Sequence, residues 1–334
     1  MQVTSSVLFE KVVVLGTGGT IAGSAPSASD NLGYTAAQVS VSQLLDAIPG
    51  LSKVLAGRSL LTEQVAQIDS KDMSFVVWQQ LALRVRHHLT QPDVQGVVIT
   101  HGTDTLEETA YFLHAVLPSS LLARKPVVLT CAMRPASSAA PDGPQNVMDA
   151  VAVAITPGAR GVMAVCAGAL HGAMEVQKVH PYRLDAFNSG DAGPLGYVEE
   201  GCVRLTRNWP LAPVASSQVA IELIVKLSRW PRVEIVMSYA GANGVLVDAL
   251  VAPVIGQRDA EPVRGLVMAA TGNGTVHRDL EAALIRAQGA GVKVVLATRC
   301  PLGRVLPVVG SPFPDSQGLS PVKARVALML ALLP

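Results

Sequence analysis

Short, continuous runs of apolar residues recur along the chain, and each ends in a loop that contains glycine, threonine or serine. In the first half of the chain the runs lie at residues 12–15, 97–99, 127–129 and 162–165. Strands that are apolar throughout are buried on both faces, as in a parallel sheet that is covered by helices. The pattern therefore predicts an α/β fold.

Helical patterns follow these loops. Thr105 and Glu108 have the spacing of a capping box, in which a hydroxyl and a carboxylate three residues apart bond the first turn of a helix. Asp72 is placed to cap a second helix over 73–89, whose apolar residues form one stripe. Because strands and helices alternate, we expect a doubly wound arrangement.

The alternation lapses between residues 206 and 229, which we interpret as a linker because prolines and serines there replace any clear period. Beyond it, the strand-loop-helix pattern resumes at 233–237, 265–270 and 292–297. A helix over 276–288 is expected to end at Gly289 as its C-cap. The chain is thus predicted to form two doubly wound, mainly parallel-sheet α/β domains. The larger covers 1–205 and the smaller 230–334.

Composition limits the classes of partner. The chain has 334 residues, of which 49% are hydrophobic and only 15% charged, so the length favours two domains and the scarce charge favours buried subunit interfaces. Lys and Arg total 26 against 25 Asp and Glu. A balanced charge argues against nucleic acid and against an anionic membrane as partners.

The sequence favours the cytoplasm. The N-terminus lacks a basic region followed by an apolar stretch, and no apolar run reaches the roughly 18 residues that span a bilayer. The four cysteines are far apart and are expected to be reduced. His87 and His88 are adjacent rather than four residues apart, so they form no zinc pair. Nothing indicates a metal or an organic cofactor.

Two of the predicted strand ends carry the same pair of residues. Gly16-Thr17 follows the first run and Gly102-Thr103 follows the second, with Asp104 next to the second hydroxyl. In doubly wound sheets ligands bind at the carboxyl ends of strands, so both hydroxyls can reach one small molecule. A threonine nucleophile needs an activating partner, which a carboxylate and a lysine can supply, and glycine-rich loops offer N–H donors to an oxyanion.

The same loops fit other interpretations. A glycine-rich loop after a first strand is also typical of a phosphate cradle or of a tight turn. Gly16 and Gly18 begin a dinucleotide-binding fingerprint, but Ile21 stands where its third glycine belongs, and the lysine of a P-loop is missing. On these residues alone a hydroxyl-based catalytic site, a phosphate site and a structural turn remain open.

Two longer motifs resemble the signatures of the bacterial-type L-asparaginase family. The first is VLGTGGTIAG at 14–23 and the second VITHGTDTLEETA at 98–110, and the likeness continues through 132–135, 142–146, 193–197 and 321–328. It covers essentially the whole chain. The family is known for homotetramers with active sites at subunit boundaries, so the resemblance implies a homodimer or homotetramer.

The resemblance also implies roles for individual residues. Thr17 matches the primary nucleophile, Tyr34 the tyrosine of a loop that closes over the substrate, and Ser70 a serine that holds the substrate's α-carboxylate. Thr103, Asp104 and Lys178 match a threonine–aspartate–lysine relay whose aspartate binds the α-amino group. The backbone carbonyl of Ala132 would accept from the departing amide nitrogen. His101 lies within the second signature, and we expect a structural role for it.

The chain departs from the family pattern at positions that concern substrate choice. Where secreted members have a subunit-crossing asparagine or serine after Tyr239-Ala240, this chain has Gly241, with Asn243 two residues on. A carboxylate expected around 303–307 has no counterpart, and Lys71 stands where many members have glutamine.

The resemblance implies an amidohydrolase that converts L-asparagine to L-aspartate and ammonia through an acyl-enzyme. A glutaminase-asparaginase of broad specificity, or the amidase subunit of a tRNA-dependent amidotransferase, is the nearest alternative. A nucleotide-binding oxidoreductase, which NAD titration tests, and a non-catalytic amino-acid-binding protein, which an ammonia-release assay tests, are the alternatives from other classes.

Overall fold

The computed structural model describes residues 10–212, 221–252 and 261–334. The chain divides into two compact units between Val225 and Lys226. This division falls inside the segment 206–229 that the sequence predicts as a linker, part of which, 213–220, lies outside the described residues. The domain boundaries at 205 and 230 therefore stay predictions.

The N-terminal unit is built on a mixed sheet of eight strands. Its strands, with a separate two-stranded ribbon formed by β7 and β8, are β1 Lys11–Gly18, β2 Ser59–Ile68, β3 Val94–Thr100, β4 Pro126–Thr130, β5 Gly161–Cys166, β6 Ala169–Gly172, β7 Gln177–Lys178, β8 Phe187–Asn188, β9 Gly196–Glu199 and β10 Cys202–Leu205. The sheet order is β10-β9-β6-β5-β4-β3-β1-β2. The five strands from β5 to β2 are parallel, and β6, β9 and β10 extend the sheet antiparallel.

Helices cover this sheet. They are α1 Val41–Asp46, α2 Leu51–Leu55, α3 Phe75–Thr90, α4 Leu106–Val116, α5 Ser119–Leu122, α6 Gly143–Ile155 and α7 Ile221–Lys226. Apolar residues of α1, α2 and α6 share one core cluster with alternate residues of β1, among them Val12 and Val14. The remaining residues of that run, Val13 and Leu15, are also fully buried. Because successive strand side chains point to opposite faces, both faces of β1 are covered.

Strand register places the chemistry at one edge of the sheet. Gly16 of β1 pairs with Thr100 of β3, and Thr100 pairs in turn with Thr130 of β4. Parallel strands end together at the same edge. The loops that follow β1, β3 and β4 therefore leave the sheet side by side.

Helix ends differ from the sequence prediction in three places. Thr105 occupies the N-cap position of α4 but makes no capping bond, because its hydroxyl donates to the Ser70 carbonyl instead. The cap of α3 is Ser74 rather than Asp72, which lies in a preceding 3-10 turn. In the C-terminal unit the helix after residue 276 begins at Arg278 and includes Gly289, so that glycine is not its C-cap.

The C-terminal unit is a smaller α/β layer. Its elements are β11 Arg232–Met237, α8 Val245–Val251, β12 Val263–Ala270, α9 Arg278–Gly289, β13 Lys293–Thr298 and α10 Pro321–Ala331. The three strands are parallel in the order β11-β12-β13, and residues of α8 and α9 pack with β12 and β13 in one core. Two parallel α/β units, the N-terminal one larger, confirm the predicted fold class.

No helix in the described parts of the chain combines the length and the apolar character that crossing a membrane requires.

Candidate active site

Thr17 lies at the carboxyl end of β1 and is buried, with 1% of its surface exposed. Its Oγ1 donates a 3.0 Å hydrogen bond to the backbone carbonyl of Thr100 on the neighbouring strand. This hydrogen bond fixes the direction of the hydroxyl group. Because the oxygen acts as donor in it, its lone pairs remain available. A buried, oriented hydroxyl at a strand end is the arrangement that a threonine nucleophile needs.

The loops after β1 and β3 touch through glycines. Gly19 has a φ of +83°, and a Cβ added to it would overlap the Cα and N of Gly102. A Cβ at Gly102 would in turn overlap Ser70 Oγ. Backbone can approach backbone this closely only where both residues lack side chains. The two glycine–threonine pairs of the sequence are thus brought into one place.

Thr103, Asp104 and Lys178 form a hydrogen-bonded cluster. Lys178 Nζ lies 2.8 Å from Thr103 Oγ1 and 2.6 Å from Asp104 Oδ1. Thr103 Oγ1 is also 3.5 Å from Asp104 Oδ1. The Lys178 side chain is 18% exposed and that of Asp104 53%. The lysine is therefore shielded against the threonine, while the carboxylate presents a face to solvent.

The ribbon formed by β7 and β8 carries Lys178 to this cluster. Lys178 pairs with Phe187 across the ribbon, and its backbone N–H donates to Glu107 Oε1 at 3.4 Å. Glu107 belongs to the first turn of α4 and is buried. The lysine backbone is thus attached to the helix that follows the Thr103 loop, although 74 residues separate Lys178 from Asp104.

Ser70 lies beside the same loop. It begins a 3-10 turn after β2, is 2% exposed, and accepts a 3.2 Å hydrogen bond from the Asp104 backbone N–H at its Oγ. Its carbonyl accepts from Thr105 Oγ1 at 2.8 Å. These two bonds join the end of β2 to the residues on either side of the Asp104–Thr105 peptide.

Tyr34 stands at the base of the loop that follows the first signature. Its hydroxyl is 2.7 Å from Thr20 Oγ1, and Ser24 and Thr35 exchange two backbone hydrogen bonds of 2.9 Å just beside it. Within the loop, N–H donation from Gly33 and Leu32 lowers the pKa of the Asp30 carboxyl. The hydrogen bond with Thr20 orients the Tyr34 hydroxyl.

The far side of the loop is attached to the segment after β4. The Ala25 N–H donates to Ser137 Oγ at 2.8 Å, and the Ala139 N–H donates to the Ala28 carbonyl at 2.9 Å. These bonds hold the loop against the chain near residue 138. Any opening of a lid here must break them.

Ala132 follows the end of β4 and is 1% exposed. Asn146 of α6 fixes the backbone around it, donating to the Cys131 carbonyl at 2.9 Å and accepting from the Ala167 N–H at 2.9 Å. The thiols of Cys131 and Cys166 lie 3.2 Å apart, and the contact together with burial raises the pKa of the Cys131 thiol. Asn146 thus ties the ends of β4 and β5 together.

The structure brings Ser70, Thr103, Asp104 and Lys178 into one bonded group and holds Thr17 on the strand next to it. The Tyr34 hydroxyl bonds Thr20, three residues after Thr17, and Ala132 lies just after the end of β4. Gly241 and Asn243 belong to the C-terminal unit, where the Asn243 side chain accepts from the Val245 N–H. Lys71 pairs with Asp72 at 2.5 Å and with Asp69 at 3.7 Å.

Sequence reasoning missed three residues that support the site: Thr20, Glu107 and Asn146. All three lie inside the motifs already singled out, so the signal was present. The sequence does not show the partner of each side chain. Thr20 bonds Tyr34, Glu107 accepts from Lys178, and Asn146 bonds the backbone of Cys131 and Ala167, all outside the element that carries the side chain. In the described chain no group of three His, Cys, Asp or Glu side chains is placed to hold a metal ion.

The structure thus defines a two-domain α/β protein with a lysine-bound threonine at the strand ends of its first unit. Residues 11–211 match the family model of the asparaginase N-terminal domain, and 232–333 match that of the glutaminase/asparaginase C-terminal domain. Together these matches span nearly the whole chain, and the chain belongs to the asparaginase/glutaminase family.

Individual relatives agree with this assignment. L-asparaginase 2 of Escherichia coli is 35% identical over 98% of this chain and 90% of its own length. The glutaminase-asparaginase of Pseudomonas fluorescens is 34% identical over 99% of this chain and 88% of its own. Among solved structures, the probable cytoplasmic L-asparaginase of Campylobacter jejuni superposes with a TM-score of 0.86 at 36% identity, covering 97% of this chain and 95% of that one.

Proposed function

We propose that this protein hydrolyses L-asparagine to L-aspartate and ammonia. The observation that carries the proposal is the group formed by Lys178 Nζ, Thr103 Oγ1 and Asp104 Oδ1 at 2.8 and 2.6 Å, beside the buried hydroxyl of Thr17. Family membership and relatives named as asparaginases and glutaminase-asparaginases support the same reaction.

In the first step, Thr17 Oγ1 attacks the side-chain amide carbon. The C–N bond breaks, an ester forms between Thr17 and the substrate acyl group, and the hydroxyl proton leaves with the amide nitrogen as ammonia. The Thr100 carbonyl that now accepts from Thr17 cannot keep a proton, so this hydrogen bond must break as the ester forms. The Ala132 carbonyl is the proposed acceptor for the departing nitrogen.

In the second step, water hydrolyses the ester. Lys178 and Thr103 lie at hydrogen-bond distance and provide a donor–acceptor pair that can orient and deprotonate the water. The ester C–O bond breaks, L-aspartate leaves, and Thr17 recovers its proton. The 2.6 Å contact with Asp104 holds the lysine headgroup at the threonine throughout.

The ends of the substrate are recognised by the remaining predicted residues. The half-exposed Asp104 carboxylate is suited to the substrate's α-ammonium group, and the buried Ser70 hydroxyl next to it to the α-carboxylate. Tyr34, oriented by Thr20, covers the reacting amide. Charged hydrogen bonds of this kind fix a small polar substrate tightly.

A second candidate function is a glutaminase-asparaginase of broad specificity. Relatives named glutaminase-asparaginase are 34% identical to this chain, and Gly241 stands where the resemblance expects an asparagine or serine at the substrate. A less crowded substrate site would admit the extra methylene of glutamine, which a pocket discriminates by only about 1–3 kcal/mol. We propose asparagine as the better substrate and glutamine as the slower one.

We also propose that the protein works as a homotetramer in the cytoplasm. In the C-terminal unit Met237 and Tyr239 are about half exposed, at 51% and 55%, and Val245 is 71% exposed, which suits a surface that another subunit covers. The described cysteines are all free thiols, two of them exposed, which suits a reducing compartment. Sedimentation of a stable monomer would contradict the tetramer.

Ammonia release from L-asparagine and L-glutamine, measured in parallel, tests the function. We expect turnover of both with a higher kcat/KM for asparagine. Hydroxylamine added to the assay should divert the acyl-enzyme to aspartate β-hydroxamate, because it attacks the same ester as water. If L-asparagine released no ammonia, the proposed reaction would be refuted. If ammonia were released but no hydroxamate formed, the acyl-enzyme would be refuted.

A further inference from the structure

His101 is fully buried, at 0% exposure, directly between the end of β3 and Gly102. The proposed chemistry assigns it no part. Burying an imidazole is costly unless both ring nitrogens find partners. The role of His101 is indicated by its two partners, the Thr109 hydroxyl and the backbone carbonyl of Gly102.

The hydrogen bonds of the ring define one tautomer. His101 Nδ1 lies 2.7 Å from the Gly102 carbonyl, which can only accept, so Nδ1 carries the proton. Nε2 is then an acceptor, and Thr109 Oγ1 donates to it at 2.9 Å. Thr109 Oγ1 accepts in turn from Trp78 Nε1, which can only donate, at 2.9 Å. Every proton in this chain of three side chains therefore points towards Gly102.

Trp78, where this series of hydrogen bonds begins, is held rigidly by packing. The Trp78 ring stacks on Phe112 with a centroid distance of 4.7 Å and an angle of 11°. Thr109 and Phe112 are both on α4, and both are fully buried. At the near end, the His101 backbone N–H donates to the Thr130 carbonyl at 2.8 Å. A packed helix pair thus holds the imidazole from one side and β4 holds its backbone from the other.

The hydrogen bond from His101 restrains the peptide that follows Gly102, a residue with an unusually mobile backbone. It has no Cβ to limit rotation, and it cannot acquire one because Ser70 Oγ and Gly19 Cα occupy the space. In a trans peptide the C=O of Gly102 and the N–H of Thr103 point in opposite directions. Holding the Gly102 carbonyl on the imidazole therefore fixes the direction of the Thr103 N–H.

We propose that Trp78, Thr109 and His101 are positioning residues that hold the Gly102–Thr103 peptide so that the Thr103 N–H donates to the oxyanion formed during amide hydrolysis. This inference rests on the proposed function. Thr103 already carries the hydroxyl that Lys178 binds, so its own N–H lies at the reacting centre. A preoriented backbone donor of this kind stabilises the transition state more than the bound substrate.

Burial lowers the pKa of His101 to about 4. The ring accordingly stays neutral at the pH of the cytoplasm. A protonated ring would carry a hydrogen on Nε2 as well, and Thr109 could no longer donate to it. Neutrality thus preserves the one-way order of the hydrogen bonds that the positioning role needs.

Two substitutions of His101 separate positioning from packing. In His101→Asn the side-chain amide N–H replaces Nδ1–H and can still donate to the Gly102 carbonyl. In His101→Gln the amide lies at the Nε2 position, so it can bond Thr109 but not Gly102. Both variants replace the imidazole ring by a smaller side-chain amide, so both should lower the melting temperature similarly. Steady-state kinetics with L-asparagine and calorimetric titration with the product L-aspartate are the readouts.

We expect His101→Gln to lower kcat about 10- to 100-fold, part of the roughly 10²- to 10³-fold that a lost oxyanion donor costs. The loss in His101→Asn should be at least about fivefold smaller. KM and the affinity for L-aspartate should change less than about threefold in either variant. Equal kcat values in the two variants, or a kcat in His101→Gln within about twofold of wild type, would overturn the proposal.

Thr109 supplies a second pair in case the histidine variants do not fold. Thr109→Ser keeps the hydroxyl that links Trp78 to His101, whereas the isosteric Thr109→Val removes it. We expect kcat to fall in Thr109→Val and to recover in Thr109→Ser, with KM little changed in both. Loss of activity that tracks melting temperature alone across the four variants would show a purely structural role.

The same assays distinguish failure of this inference from failure of the proposed function. A wild-type protein that releases no ammonia refutes the function and the inference with it. An active wild type whose Asn and Gln variants behave alike refutes the inference alone.

Discussion

The two units of this protein share a parallel α/β construction but use the ends of their strands differently. In the N-terminal unit, hydroxyls at strand ends bond to residues far away in the chain: Thr17 bonds the carbonyl of Thr100, and Thr103 accepts from Lys178. In the C-terminal unit, Thr271 and Thr275 bond each other at 2.8 Å and close a short turn. The Thr17 and Thr103 hydroxyls are thus held by other elements of the fold, while the Thr271 and Thr275 hydroxyls shape one loop.

The difference shows that parallel sheets of one construction serve separate purposes according to their strand-end loops. The N-terminal loops enclose buried polar groups, including Ser70 and His101. In the C-terminal unit the loop after β13 exposes apolar side chains, with Val308 60% and Leu306 57% exposed. The N-terminal loops therefore carry the proposed reaction site, and the exposed apolar loop of the C-terminal unit suits the proposed association of subunits. Four predictions test this contrast, from the largest expected effect to the smallest.

Removing the strand-end hydroxyl should matter in one unit only. Thr17→Ala deletes the proposed nucleophile, and we expect kcat for L-asparagine to fall by at least about 10⁴-fold, since loss of a nucleophile removes the covalent route. Thr271→Ala deletes an exposed hydroxyl in the C-terminal unit and should leave kcat within about twofold of wild type. Ammonia release measures both. Near-normal turnover by Thr17→Ala would remove this threonine from the mechanism.

The lysine cluster provides the second test. Lys178→Met keeps the length of the side chain but removes its charge and both of its bonds, and kcat should fall about 10²- to 10³-fold, as for loss of a group that moves protons. The matched control is Lys293→Met, at an exposed position on β13. Rate loss of similar size in the two variants would mean that charge removal acts nonspecifically.

Glycines with a positive φ should differ in the two units. Gly19 and Gly291 both have positive φ, +83° and +91°, but a Cβ meets Gly102 at the first and open space at the second. Gly291→Ala should cost only the left-handed backbone penalty of about 1–2 kcal/mol. Gly19→Ala should cost about 1–3 kcal/mol more from overlap, and should also impair turnover. Urea unfolding compares the two; equal losses would contradict the close approach of the loops.

The fourth prediction concerns stability in acid. Burial places the folded-state pKa of His101 at about 4, below its ordinary value of 6.5. As the pH falls, the unfolded chain takes up the proton first, so the free energy of unfolding decreases from about pH 6.5 towards pH 4. Between pH 7 and pH 4.5 this group should account for about 2–3 kcal/mol. His101→Asn should show a correspondingly smaller decrease over this range.

Urea unfolding of wild type and His101→Asn at both pH values measures this difference. Other acid-sensitive groups are common to the two proteins and cancel in the comparison. An identical pH dependence in the variant would show that His101 takes up a proton as readily when folded as when unfolded.

Most central strands could be predicted because each contains a continuous apolar run. β1, β3, β4 and β5 carry such a run, as do β12 and β13, while β11 is interrupted by Glu234. β2 went unnoticed because it is an edge strand whose ten residues are only partly buried and follow no strict alternation. The ribbon of β7 and β8 has two residues in each strand, too few to leave any periodic pattern.

Within the site, the sequence reveals residue types but not their partners. Thr17, Thr103 and Asp104 could be singled out from their place after apolar runs. Lys178 could not, because its position depends on a ribbon with no pattern and on a helix far earlier in the chain. The bond from Thr105 to Ser70 was missed for the same reason, since a local capping box and a distant carbonyl compete for one hydroxyl.

The contact between Gly19 and Gly102 also has a consequence for how this sequence can change over time. Every single-nucleotide change in a glycine codon that does not remain glycine or stop the chain introduces a residue with a Cβ. At Gly19 an added Cβ would collide with the backbone of Gly102, and at Gly102 it would collide first with the Ser70 side chain. No change of side chain relieves the collision at Gly19, because the obstacle there is backbone. The two glycines are therefore expected to remain glycine, and changes in substrate preference are expected at other side chains that line these loops.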